Sequence, residues 1–179
     1  MSKLRALLGP QISRVLTSTG LRDSRRLLAS LSRRVLGSPA QLHYFHQADD
    51  PYSQLLVQVL PTLLASYRVE LRLHLVPAPD AAAAPDEARL QGWSRRDAAR
   101  LAQAYGLSFD DIGRQPAAEH LAQAQQALLT ALDGPAQMLH AQRVGAALWS
   151  GNQSLLEQLA GNATAEQVAA QVEQGAELR

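Results

Sequence analysis

Residues 45–56, FHQADDPYSQLL, gather an imidazole (His46), two adjacent carboxylates (Asp49 and Asp50), a phenol (Tyr52) and a hydroxyl (Ser53) into one short segment. Two kinds of chemistry suit such a set. His46 beside Asp49 and Asp50 offers a base–carboxylate pair, in which the carboxylate orients the ring and stabilises its charged form. Alternatively, Pro51 opens a helix whose free N–H groups attract negative charge. Tyr52 is then placed to hydrogen-bond a ligand over the helix start, or equally to pack on the loop. The plainer account is structural. Asp is a favoured N-cap, Pro is at home in the first helical position, and His46 is held in the local hydrogen-bond network.

The elements that must position these residues are legible from periodicity. QLHYFH (41–46) is short, aromatic and branched, which suits a buried strand. A helix over 51–67 follows, with Leu56, Val59, Leu60, Leu63 and Leu64 as its apolar stripe and a kink at Pro61, which lacks the backbone donor. RVELRLHLV (68–76) alternates strictly, the pattern of a half-buried strand. Residues 77–92, with Pro77, Pro79 and Pro85, read as a loop. Ser94 and Asp97 resemble a capping box opening a helix that stops at Gly106. Further helices are expected over 116–132, 135–149, 153–160 and 165–174, the last capped by Thr164 with Gln167. Trp93 and Trp149 are expected in the core or capping it. In the N-terminal part, an amphipathic helix is expected over 21–36, after a weaker one over 2–8.

Composition removes whole classes of function. The 179-residue chain contains no cysteine, so disulfide scaffolds, zinc–thiolate sites, thiol nucleophiles and dithiol exchange are excluded. His43 and His46 fall on opposite faces of a strand and do not chelate together. The carboxylates Asp80, Asp86, Asp110 and Asp111 show no metal-loop spacing, so no metal is expected. Phosphate loops and nucleophile elbows are absent. Charge is uneven: residues 1–40 carry eight Lys and Arg against one acid, a net +7, and the remainder nine against fifteen, a net −6. A basic arm of this kind suits nucleic acid or an anionic membrane, or a solvated helical face. The solvated face, docked on the acidic body, is favoured because such charge runs are usually solvated, and the lack of interleaved aromatics weakens the single-strand nucleic-acid reading; an organelle transit peptide is the remote option. No apolar run reaches a bilayer span and no secretory signal is evident, so a cytoplasmic location is expected.

The segment YFHQADDPYSQLLVQVLPTLL, followed by VELRLHLV, resembles the first half of the DsbA-like thioredoxin-fold proteins. Asp50-Pro51-Tyr52-Ser53 falls in the slot of their Cys-Pro-x-Cys motif, with Asp50 at the nucleophile and Ser53 at the resolving position. The nearest branch is the 2-hydroxychromene-2-carboxylate isomerase and kappa-class glutathione transferase group. GAALWSGNQSLLEQLA (145–160) is similar to its late helical segment. The resemblance covers about 41–107 and 133–160. It implies an α/β, mostly helical chain with a thioredoxin-like βαβ unit at 41–76 and a helical insertion domain at 77–179, behind a basic helical arm at 1–40. It also implies glutathione, or another small thiol or polar ligand, bound at the start of helix 51–67. Asp50 and Ser53 would then be catalytic, and Asp49, Pro51, Tyr52 and His46 would be ligand-binding.

Three departures bear on that reading. A carboxylate at residue 50 repels the thiolate that a glutathione enzyme must stabilise. The junction is one residue longer, with Ala48-Asp49 ahead of Asp50. The second half of the thioredoxin sheet is missing: after Gln167 the residues are helix-like and carry no proline, so an incomplete sheet is expected, from a fragment or with partner strands supplied elsewhere. Two functions remain open: a cysteine-free isomerase or transferase acting at Asp50, and a catalytically inactive binding or scaffolding module. A homodimer fits either.

Overall fold

A computed structural model describes residues 39–129 and 132–179. The chain divides into two compact units, Met1–Ala40 and Gln41–Arg179. The basic arm and the helices expected over 2–8 and 21–36 lie outside the described residues.

The described residues begin with strand β1 (Ala40–His46), helix α1 (Pro51–Ser66) and strand β2 (Val69–Leu75). The two strands form a small parallel sheet. In β1, Tyr44 and His46 point inward while Gln41 and His43 are exposed; in β2, Leu71 and Leu75 point inward while Glu70 and Arg72 are exposed. The Val76 N–H donates to the His46 carbonyl at 3.0 Å, carrying the pairing one step past β2. On the outer face His74 stacks against both His43 and Phe45, with ring centroids 5.1 and 5.2 Å apart.

Five helices follow: α2 (Glu87–Tyr105), α3 (Ala118–Leu128), α4 (Gly134–Trp149), α5 (Gln153–Leu159) and α6 (Ala165–Leu178). Among the described residues the architecture is mostly helical around a two-stranded sheet, consistent with the expected α/β class. One cluster joins Tyr44, Leu71 and Leu75 of the sheet, Val57 and Leu60 of α1, Ala127 and Leu128 of α3, Met138, Ala141 and Val144 of α4, and Leu156 of α5. Small alanines on α3 and α4 let those helices approach closely enough for the few large side chains to fill the interior. This cluster spans both sides of residue 76, within the unit Gln41–Arg179.

Several expectations need correction. Helix α2 begins at Glu87, not Ser94, and so takes in the last six residues of the expected 77–92 loop. The run Glu87 to Gln91 consists of good helix formers, and Gly92 costs only about 1 kcal/mol in a helix interior. Ser94 therefore lies within the helix, its hydroxyl donating to the Leu90 carbonyl at 2.9 Å, and the expected cap with Asp97 does not form. Helix α3 is shorter than 116–132, and α6 runs on past 174 to Leu178 from the Thr164–Gln167 capping box. Trp149 is buried as expected and meets Phe109. Trp93 is not a core residue: it is 54% exposed, with the Arg96 guanidinium over its ring.

The expected stripe of α1 is also redistributed. Leu60 is buried and Leu64 packs on the core, but Leu56, Val59 and Leu63 are each at least 40% exposed, whereas Ser53, Gln54 and Val57 are buried. Helix α1 has no charged residue anywhere along its length, so its sequence does not mark which side faces water.

Candidate functional site at the start of helix α1

Residues 47–50 carry the chain from β1 into α1, and Asp50 is the N-cap, with extended backbone (φ −97°, ψ 122°) and Pro51 next. Its Oδ2 accepts from the Ser53 backbone N–H at 2.8 Å and from the Ser53 hydroxyl at 2.9 Å. Each contact satisfies a group that would otherwise face outward at the helix start. Ser53 is 8% exposed, and its Oγ also accepts from the Gln47 N–H at 3.4 Å.

Below this cap lies a buried polar pair. The Tyr44 hydroxyl donates to the Ser53 carbonyl at 3.1 Å and lies 2.8 Å from His46 Nδ1. A single hydroxyl proton serves one partner, so a neutral His46 carrying its proton on Nδ1 satisfies the other contact. Burial alone pulls the pKa of His46 down to about 4, which keeps the ring neutral. Burial also pushes the Tyr44 hydroxyl up, against the hydrogen bond to Ser53, which lowers it; the nearby Asp50 carboxylate raises it further. His46 is thus tied into the local hydrogen-bond network, the plainer of the two expectations, with Tyr44 rather than Asp49 or Asp50 as its ring partner.

The remaining site residues are tied to elements distant in sequence. Asp49 accepts from Gln47 Nε2 at 3.0 Å, and its carbonyl accepts from Gln115 Nε2 at 2.8 Å. Tyr52 points toward α2, where its hydroxyl donates to Asp97 Oδ2 at 2.8 Å. Desolvation and that carboxylate together raise the Tyr52 pKa. A cleft of about 90 Å³ lies beside the cap, lined among others by Asp49, Asp50, Pro51, Glu87 and Gln115. Its three carboxylates make it hostile to an anion.

The structure therefore brings together Asp49, Asp50, Pro51 and Ser53, and separates them from His46, which is buried under the cap, and from Tyr52, which belongs to the contact with α2. Sequence reasoning passed over Tyr44, Asp97 and Gln115 as members of this neighbourhood. Tyr44 has a local signal, since it sits two residues from His46 on the same strand face. Gln115 has none, because its contact with Asp49 closes 66 positions of chain. Among the described residues no group of three or more His, Asp or Glu side chains is placed to hold a metal ion. Nor is any described helix long and apolar enough to cross a membrane. Compared with family models, curated proteins and solved structures, the chain matches none of them.

Proposed function

We propose that residues 40–179 are a thioredoxin-like module of the DsbA type that has given up chemistry at its active-site slot and serves in binding or scaffolding. One observation carries the reading: the groups that a ligand would address at the helix start are consumed inside it. Both the hydroxyl and the N–H of Ser53 are donated to Asp50. A thiolate placed there would meet a carboxylate where a redox or glutathione-dependent relative needs free donors. Space argues the same way. The adjoining cleft of about 90 Å³ is well below the roughly 300–1,000 Å³ of ordinary small-molecule sites.

The support for a thioredoxin-like origin is the order strand, helix, strand, with the helix starting at Pro51 four residues after β1 and carrying a second proline at residue 61. The competing reading, a glutathione-dependent isomerase or transferase using Asp50 and Ser53, is separated by titrating glutathione against the melting temperature of the native chain. A ligand bound only by the folded state raises that temperature by mass action. No rise is expected for the wild type or for Asp50→Ser. A rise in the wild type that grows in Asp50→Ser would restore the enzyme.

A further inference from the structure

The exposed side of α1 and the unpaired side of β1 are parts of one surface. Along α1, Tyr52, Leu56, Val59 and Leu63 follow one another at spacings of four, three and four, so they form a single ridge, and each is 39–43% exposed. The other sides of the helix are occupied. Val57 and Leu60 face the sheet, Gln54 reaches the Gln142 carbonyl of α4, and Leu55 meets Ala98 and Ala102 of α2. Helices α4 and α6 both pack on β2. A right-handed crossover, the rule for a parallel β-α-β unit, sets α4 over the β2 side and leaves the ridge over the outer edge of β1.

That edge carries no protection in its own sequence. Edge strands are normally blunted by charges, proline or a bulge. The β1 sequence AQLHYFH has no Lys, Arg, Asp, Glu or Pro, and among the described residues β1 pairs only with β2. Because the Val76 N–H meets the His46 carbonyl, the even-numbered residues of β1 address β2, and the backbone groups of Gln41, His43 and Phe45 point away from it.

We propose that two copies of this chain associate through this surface, about a two-fold axis perpendicular to the sheet at His43. Gln41, His43 and Phe45 of one copy then pair antiparallel with Phe45, His43 and Gln41 of the other. The outward-pointing backbone groups fall opposite one another, and all inward side chains stay on the helix side. The result is one four-stranded sheet, above the three strands at which sheets become independently stable, with the two α1 ridges meeting over it. A second copy suits the surface because a two-fold axis turns every nearby charge against itself. Neither β1 nor α1 contains a charged residue, and the Asp97 carboxylate of α2 stands at the Tyr52 end of the ridge, away from the axis at His43. A partner of other chemistry would find no charge on either element by which to be selected. Four half-exposed side chains and one strand edge per copy bury on the order of 1,000 Å² in all, the lower limit for a specific interface, so association in the micromolar range is expected.

The test is the mass of the full chain by light scattering on a sizing column across the micromolar range. Twice the 19.4 kDa chain mass is expected. Val59→Glu, which places a charge on the ridge, and His43→Pro, which removes an outward N–H, are each expected to return the mass to that of one chain with circular dichroism unchanged. Leu139→Glu, on an exposed part of α4, is expected to remain a dimer. A wild type that stays monomeric at every concentration overturns the proposal, and so does a dimer that survives Val59→Glu. The inference does not rest on the reading of the Asp50 slot: a monomer would leave that reading intact, and a response to glutathione would leave the dimer intact.

Discussion

Asp50 and Ser53 close a ring at the start of α1: one carboxylate oxygen receives both the N–H and the hydroxyl of the residue three positions on. The pairing is the observation on which the proposed loss of chemistry rests. An aspartate at this position takes up both donors of Ser53 with one oxygen, so the helix terminus is satisfied from within.

Asp50→Ala is therefore expected to cost about 1–2 kcal/mol, the range for loss of an N-cap acceptor, and to leave the Ser53 hydroxyl without its acceptor. Asp50→Asn and Asp50→Ser should recover most of the loss, because either side chain can accept from the Ser53 N–H. Urea denaturation checks this: the midpoint should fall in Asp50→Ala with the slope unchanged. A slope that changes would mean the helix start reorganises rather than losing one bond.

His46 makes the fold sensitive to acid. Its folded-state pKa of about 4 lies below the ordinary value of 6.5, so the unfolded chain binds the proton more readily. The contribution is fully present above pH 6.5 and is lost progressively as pH falls to about 4. Over that window the shift corresponds to about 3 kcal/mol. Stability measured from pH 7 to pH 4 should fall on this course in the wild type, and a His46→Gln variant that folds should show a distinctly flatter profile. Equal slopes would assign the acid sensitivity to other groups.

What the sequence disclosed follows from which signals are local. The handover from β1 to α1, the Asp50 cap, the alternation of β2 and the Thr164 box are each contained within a few residues, and each is found. The start of α2 was misread because Ser94 and Asp97 have the spacing of a cap, while the helix-forming run ahead of Gly92 outweighs it. The face of α1 was misread for a different reason. A helix with no charges offers no polar side, and its orientation is settled by α2, α4 and the sheet. Asp97 and Gln115 joined the site neighbourhood through long-range contacts, which no periodicity encodes.

Gln58 holds the chain after α2 with both ends of its amide. Its Nε2 donates to the Ser108 carbonyl and its Oε1 accepts from the Ser108 N–H, each at 2.9 Å. The arrangement copies a strand pair with a side chain. Gln58→Glu removes the donor and sets a carboxylate against a carbonyl, whereas Gln58→Ala removes both bonds and leaves Ser108 to solvent. Both contacts are exposed, so Gln58→Ala should cost only about 0.5–1.5 kcal/mol. Hydrogen exchange should locate the loss, with the Ser108 amide losing protection while the amides of β2 keep theirs.

Helix α6 packs closely on the sheet at Gly175, where a Cβ would overlap the Leu75 carbonyl oxygen. Gly145 of α4 stands in the same relation to Gln54 of α1, whose Oε1 a Cβ would meet. The two sites differ in what can yield. At Gly145 the obstacle is the end of a side chain, although a buried one held to the Gln142 carbonyl at 3.2 Å; at Gly175 it is backbone at the end of a strand. Alanine in a helix interior is intrinsically better than glycine by about 1 kcal/mol. At Gly175 that gain is opposed by overpacking of about 1–3 kcal/mol, and a rigid carbonyl sets the cost toward the upper end. Gly175→Ala should therefore be net destabilising, by more than Gly145→Ala. In Gly145→Ala the companion change Gln54→Ala should relieve the clash, while no side-chain change at Leu75 can relieve Gly175→Ala, because the opposing atom belongs to the main chain. Thermal unfolding of the two single variants and of the Gln54→Ala double variant decides it. A Gly175→Ala chain as stable as the wild type would mean that α6 can back away from β2 at no cost.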